Sequence, residues 1–456
     1  MNNNQIAVLG FGKTGPAVLE FLLTHEPRAS LILFNDSEID DKDRQKIFER
    51  RGVRFLIGAE KFSELGVCRL VIMSPGFDGR NPRFAALRLQ GAEVISEIEF
   101  AFRQIHAKII AVSGSNGKST TVSLIHHLLI RAGRKSILAG NIGIPFITQV
   151  KDVADDSLVV LELSSFQLEE IILFRADVAV LLNITPDHLD RYPSMAAYAA
   201  AKFNLFKTQR PEDSMVLNAD DPLLRNEKRL GPAKPFWFST TRAMNDGAAL
   251  ENHDIILNFG TAKERISLRH NPLRGIHNLE NIMAAALACR AVGLTTSEIE
   301  SGLESFRGLP HRMEAAGIVG LVEFINDSKA TNVDAALKSI ASIDGNLVVI
   351  LGGKDKGSNF TVLEKPLREK AQKILLLGKA APLIAAQLNG LGDRLVNVRD
   401  LHEAVNTGYE ILRQAGGVLL LAPACASFDM FDNFEHRGEV FKREVKRLRK
   451  QERKNG

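Results

Sequence analysis

The chain has 456 residues, 45% hydrophobic and 25% charged, with a formal net charge of +4. That length asks for about three domains, and the composition excludes disorder, collagen and low-complexity arrays. No apolar run approaches the ~18 residues of a membrane span. The charge is concentrated at one end. Residues 442–456 (KREVKRLRKQERKNG) hold eight Lys/Arg and two Glu, a net +6, which leaves the other 441 residues at −2. The body is therefore not a nucleic-acid surface. The tail reads as the solvated end of a last helix, with a weak contact to an anionic partner as the alternative. Cys68, Cys289 and Cys425 are far apart with no C-x-x-C, which argues against a disulfide framework or zinc site and fits a reducing cytosol. The opening MNNNQ lacks a basic n-region, so no signal peptide is expected.

Strand-like runs alternate with helical patterns, which predicts an α/β protein of mostly parallel sheets with crossover helices. QIAVLG (5–10) reads as a strand and PAVLEFLLTH as the helix after it, with Pro16 in the tolerated first turn. SLILFND and RLVIMSPG complete a first domain, expected over residues 1–98. KIIAVSGSNGKST opens a second, expected over 99–309, with LVVLELS, VAVLLNITP and SMVLNADD as further strands. FRGLPHRME reads as a linker. A third domain, expected over 310–456, carries VEFINDS, NLVVILGG, KILLLG and GVLLLAPA.

The motifs sit at the C-terminal ends of these strands. Gly10-Phe11-Gly12-Lys13-Thr14-Gly15 is a full G-x-G-x-x-G between strand and helix, with Asp36 ending the next strand. It suits NAD(P), another nucleotide or sugar diphosphate, or a tight structural turn, because amides at a helix N-terminus bind any pyrophosphate. Gly114-Ser115-Asn116-Gly117-Lys118-Ser119-Thr120 resembles a Walker A loop: amides cradle phosphates, Lys118 neutralises them and a hydroxyl meets Mg²⁺. It departs from the strict pattern, since Val112 fills the first glycine slot. Glu162 ends the apolar strand LVVLE, where it either holds Mg²⁺ or faces solvent. His188, in NITPDHLDRY, is a structural loop residue or a group beside the nucleotide. Lys202, in AAYAAAKFNLF, reads from the residues alone as a surface lysine. Asn326–Asn332 (NDSKATN) and Gly352–Gly357 (GGKDKG) are either ordinary turns or polar mouths for carboxylates and phosphates.

Taken in order, GSNGKST, GNIG, ELSSFQLE, NITPDHLDRY, AAK, HNLEN, LPHR, NDSKATN, GGKDKG and PACASFDMFDNFEHRG resemble the Mur ligases of bacterial peptidoglycan synthesis over nearly the whole chain. The likeness is strongest to the branch that adds D-glutamate, and the D-N-P-R tetrad of the diaminopimelate-adding branch is absent after residue 310. Another Mur ligase, or a folylpolyglutamate-type ligase with a different amino acid, is the alternative. The resemblance implies a three-domain α/β fold with a central P-loop-type ATPase domain. It implies an ATP-dependent ligase that joins D-glutamate to UDP-N-acetylmuramoyl-L-alanine through an acyl phosphate, giving ADP and phosphate. It also implies a cytoplasmic monomer without nucleic-acid partner or membrane span.

By the same resemblance, Lys13, Thr14, Asp36, Ser37, Ser74, Pro75 and Gly76, with Asn141 and Ser164, would contact the UDP substrate. Gly114 to Thr120, with Asn281 and Arg312, would bind ATP. Ser119 and Glu162 would hold one Mg²⁺. His188 and a carbamylated Lys202 would hold a second. Thr331, Lys356, Ser427 and Phe434 would bind D-glutamate. Asp327 and Lys329 would sit by the nucleotide, and Lys118, His188, Lys202, Asp327 and Lys329 would carry the chemistry.

Overall fold

Among the described residues of a computed structural model, twenty segments, most of them rich in aliphatic and β-branched residues, form strands. The model describes residues 4–455 apart from 189–190, 228–229, 253, 260–261, 270, 272, 274 and 356, with the side chains of 454 and 455 also outside the description. The strands form three sheets, and the chain divides into two compact units. One holds residues 1–184, 196–269 and 282–302; the other holds 185–195, 270–281 and 303–456.

In the first unit, β1 (Gln5–Leu9), β2 (Ser30–Asn35), β3 (Arg54–Ile57), β4 (Leu70–Met73) and β5 (Glu93–Ser96) make a wholly parallel sheet in the order β3-β2-β1-β4-β5. The chain leaves β1 between β2 and β4, so the order reverses at its C-terminal end, where open α/β sheets bind ligands. A nine-stranded sheet of the same unit comprises β6 (Lys108–Ser113), β7 (Ser136–Gly140), β8 (Leu158–Glu162), β9 (Val178–Leu181), β10 (Ser214–Asn218), β11 (Lys234–Ser239), β12 (Gly247–Glu251), β13 (Asp254–Phe259) and β14 (Ala262–Ser267). Its order is β14-β13-β12-β11-β10-β9-β6-β8-β7. The β12–β13 and β13–β14 pairs are antiparallel and the rest parallel. This antiparallel extension has no counterpart in the sequence reading, because AKERIS on β14 is too polar to read as a strand. Here too β6 stands between β8 and β9, so its C-terminal end is a second switch point.

The second unit holds β15 (Glu314–Val319), β16 (Val322–Asn326), β17 (Leu347–Gly352), β18 (Ala371–Leu377), β19 (Leu395–Asn397) and β20 (Gly417–Leu421), in the order β15-β16-β20-β17-β18-β19. Only β15 runs antiparallel to its neighbour. Both faces are apolar, as a parallel sheet under helices requires. Val349, Leu351, Ile374 and Leu376 pack with Ala336, Ile340 and Leu363 on one face. Val348, Ile350, Leu375 and Leu377 pack with Leu401, Val405 and Phe441 on the other. Each such side chain contributes about 1.5–3 kcal/mol.

The basic tail is the end of the helix Phe434–Asn455. Phe441, Val445 and Leu448 are buried at helical spacing, while Arg443, Lys446, Arg447, Arg449, Lys450 and Arg453 are exposed. No helix among the described residues is long and apolar enough to cross a membrane, and Cys68, Cys289 and Cys425 are buried and form no disulfide.

Candidate active site

The loop after β1 opens on a cleft of about 420 Å³ lined by Gly10, Phe11, Gly12, Lys13, Thr14, Asn35, Asp36, Ser37, Ser74, Pro75, Gly76 and Phe77. That volume suits a small ligand. The helix Thr14–His25 begins without a side-chain cap at Lys13, so its first N–H groups remain for an anion. Gly10 has φ +96°, and a Cβ on Gly15 would lie 1.8 Å from the Gly10 carbonyl oxygen. The close turn therefore needs glycine at both places. Lys13, Thr14, Asp36, Ser37, Ser74, Pro75 and Gly76, expected together from the resemblance, share this one cleft. Asn141 and Ser164 do not line it. Asn141 donates from Nδ2 to Glu162 Oε1 at 2.8 Å, and Ser164 caps the helix Ser165–Glu169 in a reciprocal box with Gln167.

The loop after β6 leads into the helix Lys118–Arg131, with Gly117 left-handed at its N-cap (φ 89°). Asn183 fastens the loop: its carbonyl accepts from Ser115 N at 3.0 Å, and its Oδ1 accepts from Asn116 N at 2.8 Å. Lys118 folds back and donates from Nζ to the carbonyls of Gly114 (2.8 Å) and Ser115 (2.9 Å). Lys202 Nζ also donates to the Gly114 carbonyl at 2.8 Å and lies 4.7 Å from the Tyr198 ring centre. Two lysines thus converge on one oxygen of a phosphate-type loop. The surface reading of Lys202 is corrected here: it is 1% exposed, because the helix Met195–Phe203 turns that face inward beside buried Tyr198. The three alanines that precede it give no hint of which face that is. Ser119 and Thr120 are buried at the start of the loop's helix.

Glu162 is paired in register with Val112, two residues before Gly114. It is 3% exposed, so the solvent-facing alternative falls. Oε1 accepts from Asn141, while Oε2 is buried with no hydrogen-bond partner. An unsatisfied buried carboxylate oxygen is costly, and a hard cation is what such an oxygen suits. The Glu162 carboxylate therefore fits one ligand of a hard cation such as Mg²⁺. Among the described residues no group of three or more His, Cys, Asp or Glu is placed to hold a metal. The expected set contains only two of those types, Glu162 and His188. Ser119, Glu162 and Lys202 belong to the first unit and His188 to the second.

In the second unit, His188 is held at φ 55°, a strained value for a non-glycine residue and a frequent mark of function. Its backbone N–H donates to Asp187 Oδ1 at 3.0 Å. Asn281 is buried and donates to Asn278 Oδ1 at 3.2 Å. Burial, with the cations Lys338 and Arg312, pushes nearby His277 down to about 4, so this imidazole is neutral at physiological pH. Asp327 accepts from Met313 N at 3.2 Å and from the Ser339 hydroxyl. Burial raises its carboxyl above the ordinary value. Its contacts tie the linker to the sheet. The Lys329 ammonium lies 3.7 Å from the Phe434 ring centre.

Thr331, Ser427 and Phe434 fall on neighbouring segments, because β16, β20 and β17 are adjacent. Ala424 N donates to Ala330 O, and Lys354 pairs with Ala426. Lys356 lies outside the described residues. Sequence reasoning missed what organises this mouth. Arg437 is 1% exposed and donates to Ser328 Oγ (3.0 Å), Ser328 O (2.8 Å) and Cys425 O (3.1 Å). Burial lowers the guanidinium to about 10. It also missed two buried acids on the helix Glu97–Phe102. Glu97 accepts from Ile147 N at 2.7 Å, and burial pushes it up to about 7. Glu99 accepts from the N–H groups of Ile172, Leu173 and Phe174. Two acids in an otherwise apolar helical run were the only sequence signal.

Three family models match the chain: a Mur ligase MurD-like N-terminal domain over residues 4–96, a Mur ligase middle domain over 112–289, and a Mur ligase glutamate ligase domain over 311–425. Relatives named UDP-N-acetylmuramoylalanine–D-glutamate ligase align along nearly their full length. The one from Alkaliphilus oremlandii is 38% identical over 99% of this chain and 100% of its own. The one from Solibacter usitatus is 40% identical over 97% of each. Among solved structures, a pseudomurein peptide ligase type C from Methanothermus fervidus superposes with a TM-score of 0.61 at 17% identity, over 97% of this chain and 99% of that one. A MurF ligase from Thermotoga maritima in complex with ADP gives 0.60 at 17% identity, over 97% and 95%.

Proposed function

The chain belongs to the Mur ligase family, and we propose that it uses ATP and Mg²⁺ to join D-glutamate to UDP-N-acetylmuramoyl-L-alanine in the cytoplasm, as a step of peptidoglycan precursor synthesis. The observation that carries the ATP half is the Gly114–Thr120 loop, on whose first carbonyl Lys118 and Lys202 both converge. The names of the full-length relatives support the choice of substrates.

A carboxylate does not condense with an amine unaided in water. The γ-phosphoryl group of ATP passes to an oxygen of the alanyl carboxylate, and ADP leaves. The D-glutamate nitrogen then attacks the acyl carbon, the carbon–oxygen bond to phosphate breaks, phosphate departs with that oxygen, and the amine gives up a proton. Lys118 leaves its two carbonyls for the phosphates and offsets their charge. Mg²⁺, when bound at Ser119 and Glu162, neutralises phosphate oxygens. Carbamylation of Lys202 would turn its buried amine into an anionic oxygen ligand, which suits a hard cation. The Gly10 cleft takes the UDP moiety. Thr331, Ser427 and the segment at Phe434, held by Arg437, receive the amino acid.

The test is phosphate release from UDP-N-acetylmuramoyl-L-alanine, ATP and Mg²⁺ with a panel of amino acids. D-glutamate is expected to support turnover, with ¹⁸O from the alanyl carboxylate appearing in phosphate. Comparable turnover with L-glutamate, preference for a diamino acid, or formation of AMP overturns the reading.

A further inference from the structure

Arg83, at the start of the helix Pro82–Leu89, does not line the Gly10 cleft, yet it grips a residue that does. Its Nη1 donates to Asp36 Oδ1 at 2.7 Å and its Nη2 to Asp36 Oδ2 at 2.8 Å. Asp36 follows β2 and Arg83 follows the loop leaving β4, the two strands that flank β1. One two-pronged ion pair therefore ties together the walls on either side of the glycine turn.

The guanidinium is boxed by aromatic rings. Its Cζ lies 4.6 Å from the centre of Phe62, 5.1 Å from Phe84, 5.5 Å from Phe77 and 5.6 Å from Phe34. Its Nε is buried without a hydrogen-bond partner, and among the described residues Asp36 is the only group its side chain hydrogen-bonds. An unsupported ion pair near the surface contributes little, since two long side chains must be ordered to form it. Here the rings order the fork in advance, and arginine above faces of phenylalanine is itself favourable. The carboxylate plane is consequently fixed. Each of its oxygens retains acceptor capacity for a ligand.

We propose that Arg83 is a positioning residue for recognition of the uridine half of the substrate. It aims the Asp36 carboxylate at donors of the nucleoside, the ribose hydroxyls or the uracil N3–H. An acid at the end of the second strand is where such folds read a ribose. The proposal rests on the reading of this cleft as the UDP site.

The test is calorimetric titration of UDP, and separately of inorganic pyrophosphate, into the full chain and its variants. Arg83→Met is expected to weaken UDP by about tenfold or more, and pyrophosphate by much less. Arg83→Lys, which keeps the charge but not the fork, is expected to lose most of the same affinity and decides the matter if Arg83→Met does not fold. In an Asp36→Ala background Arg83→Met should cause no further loss, because it acts through Asp36. In turnover the loss falls on KM for the UDP substrate more than on kcat. Equal UDP affinity in wild type and Arg83→Lys, or losses that simply add in the double variant, overturn the proposal. A wild-type chain that does not bind UDP overturns the reading of the cleft itself.

Discussion

The loop after β1 and the loop after β6 are assembled from the same parts: a parallel strand, a glycine-rich turn, a helix and a switch point in strand order. They finish differently. In the first, Lys13 is exposed and the turn gives on to an open cleft whose walls come from the ends of neighbouring strands. In the second, the cations turn inward on the loop's own carbonyls, and Asn183 ties down its amides. A bare glycine turn therefore supplies a generic anion seat, and its walls decide the ligand. The second loop instead gathers cations on its own carbonyls, one from within it and one from the helix Met195–Phe203.

The largest effect that separates the two is expected from Lys118→Ala. Ligation should fall by ~10²-fold or more while UDP affinity, measured by titration, stays unchanged; retained ligation would mean that the second loop does not handle the reacting phosphates. Lys202→Ala should lower turnover by about tenfold or more, and acetate should restore part of it by standing in for a carbamate oxygen. Full activity without acetate would return Lys202 to a packing role. Gly15→Ala forces a Cβ against the Gly10 carbonyl, so UDP binding should weaken by roughly tenfold with ADP binding intact. Unchanged UDP affinity in that variant would show that the ligand does not need the tight turn.

The last effect is on stability and not on ligation: Glu97 borders the same pocket as Ser74, Pro75 and Phe77. Its carboxyl is raised from 4.5 to about 7 in the fold, chiefly by burial. A raised carboxyl favours the neutral form, so native stability is lost as pH rises from the unfolded value toward the folded one. Glu97→Gln should match wild type near pH 4 and gain on it up to about pH 7, by at most ~3 kcal/mol. Melting curves at several pH values check this; a constant offset would show that the fold does not shift the Glu97 carboxyl.

Both glycine loops were legible because their signals are local: strand, glycines and helix follow one another within about fifteen residues. The α/β class was legible for the same reason. What escaped depends on partners far apart in sequence. Asp36 meets Arg83, Glu99 meets residues 172–174, and Arg437 meets Ser328 and Cys425. No spacing rule joins such pairs; only the folded sheets do. Lys202 was misread because propensity says that AAYAAAKF is a helix and nothing about which side is wet. The β12–β14 extension was missed because its outermost strand is half polar, as an edge strand facing water can be.

The position of β20 bears on how the chain is made. It is the last in chain order of the described strands, yet it lies between β16 and β17. During synthesis the facing edges of β16 (ending at Asn326) and β17 (ending at Gly352) wait unpaired until Gly417 begins β20, and the guanidinium that pins the neighbouring loops arrives later still. A parallel sheet completed from its middle by its final segment is slow to close, and open edges invite pairing with other chains. Nascent chains halted before Gly417 should therefore be far more prone to aggregate than chains halted just after the helix Phe434–Asn455, which makes the last tenth of the sequence the stretch on which productive folding of the second unit waits.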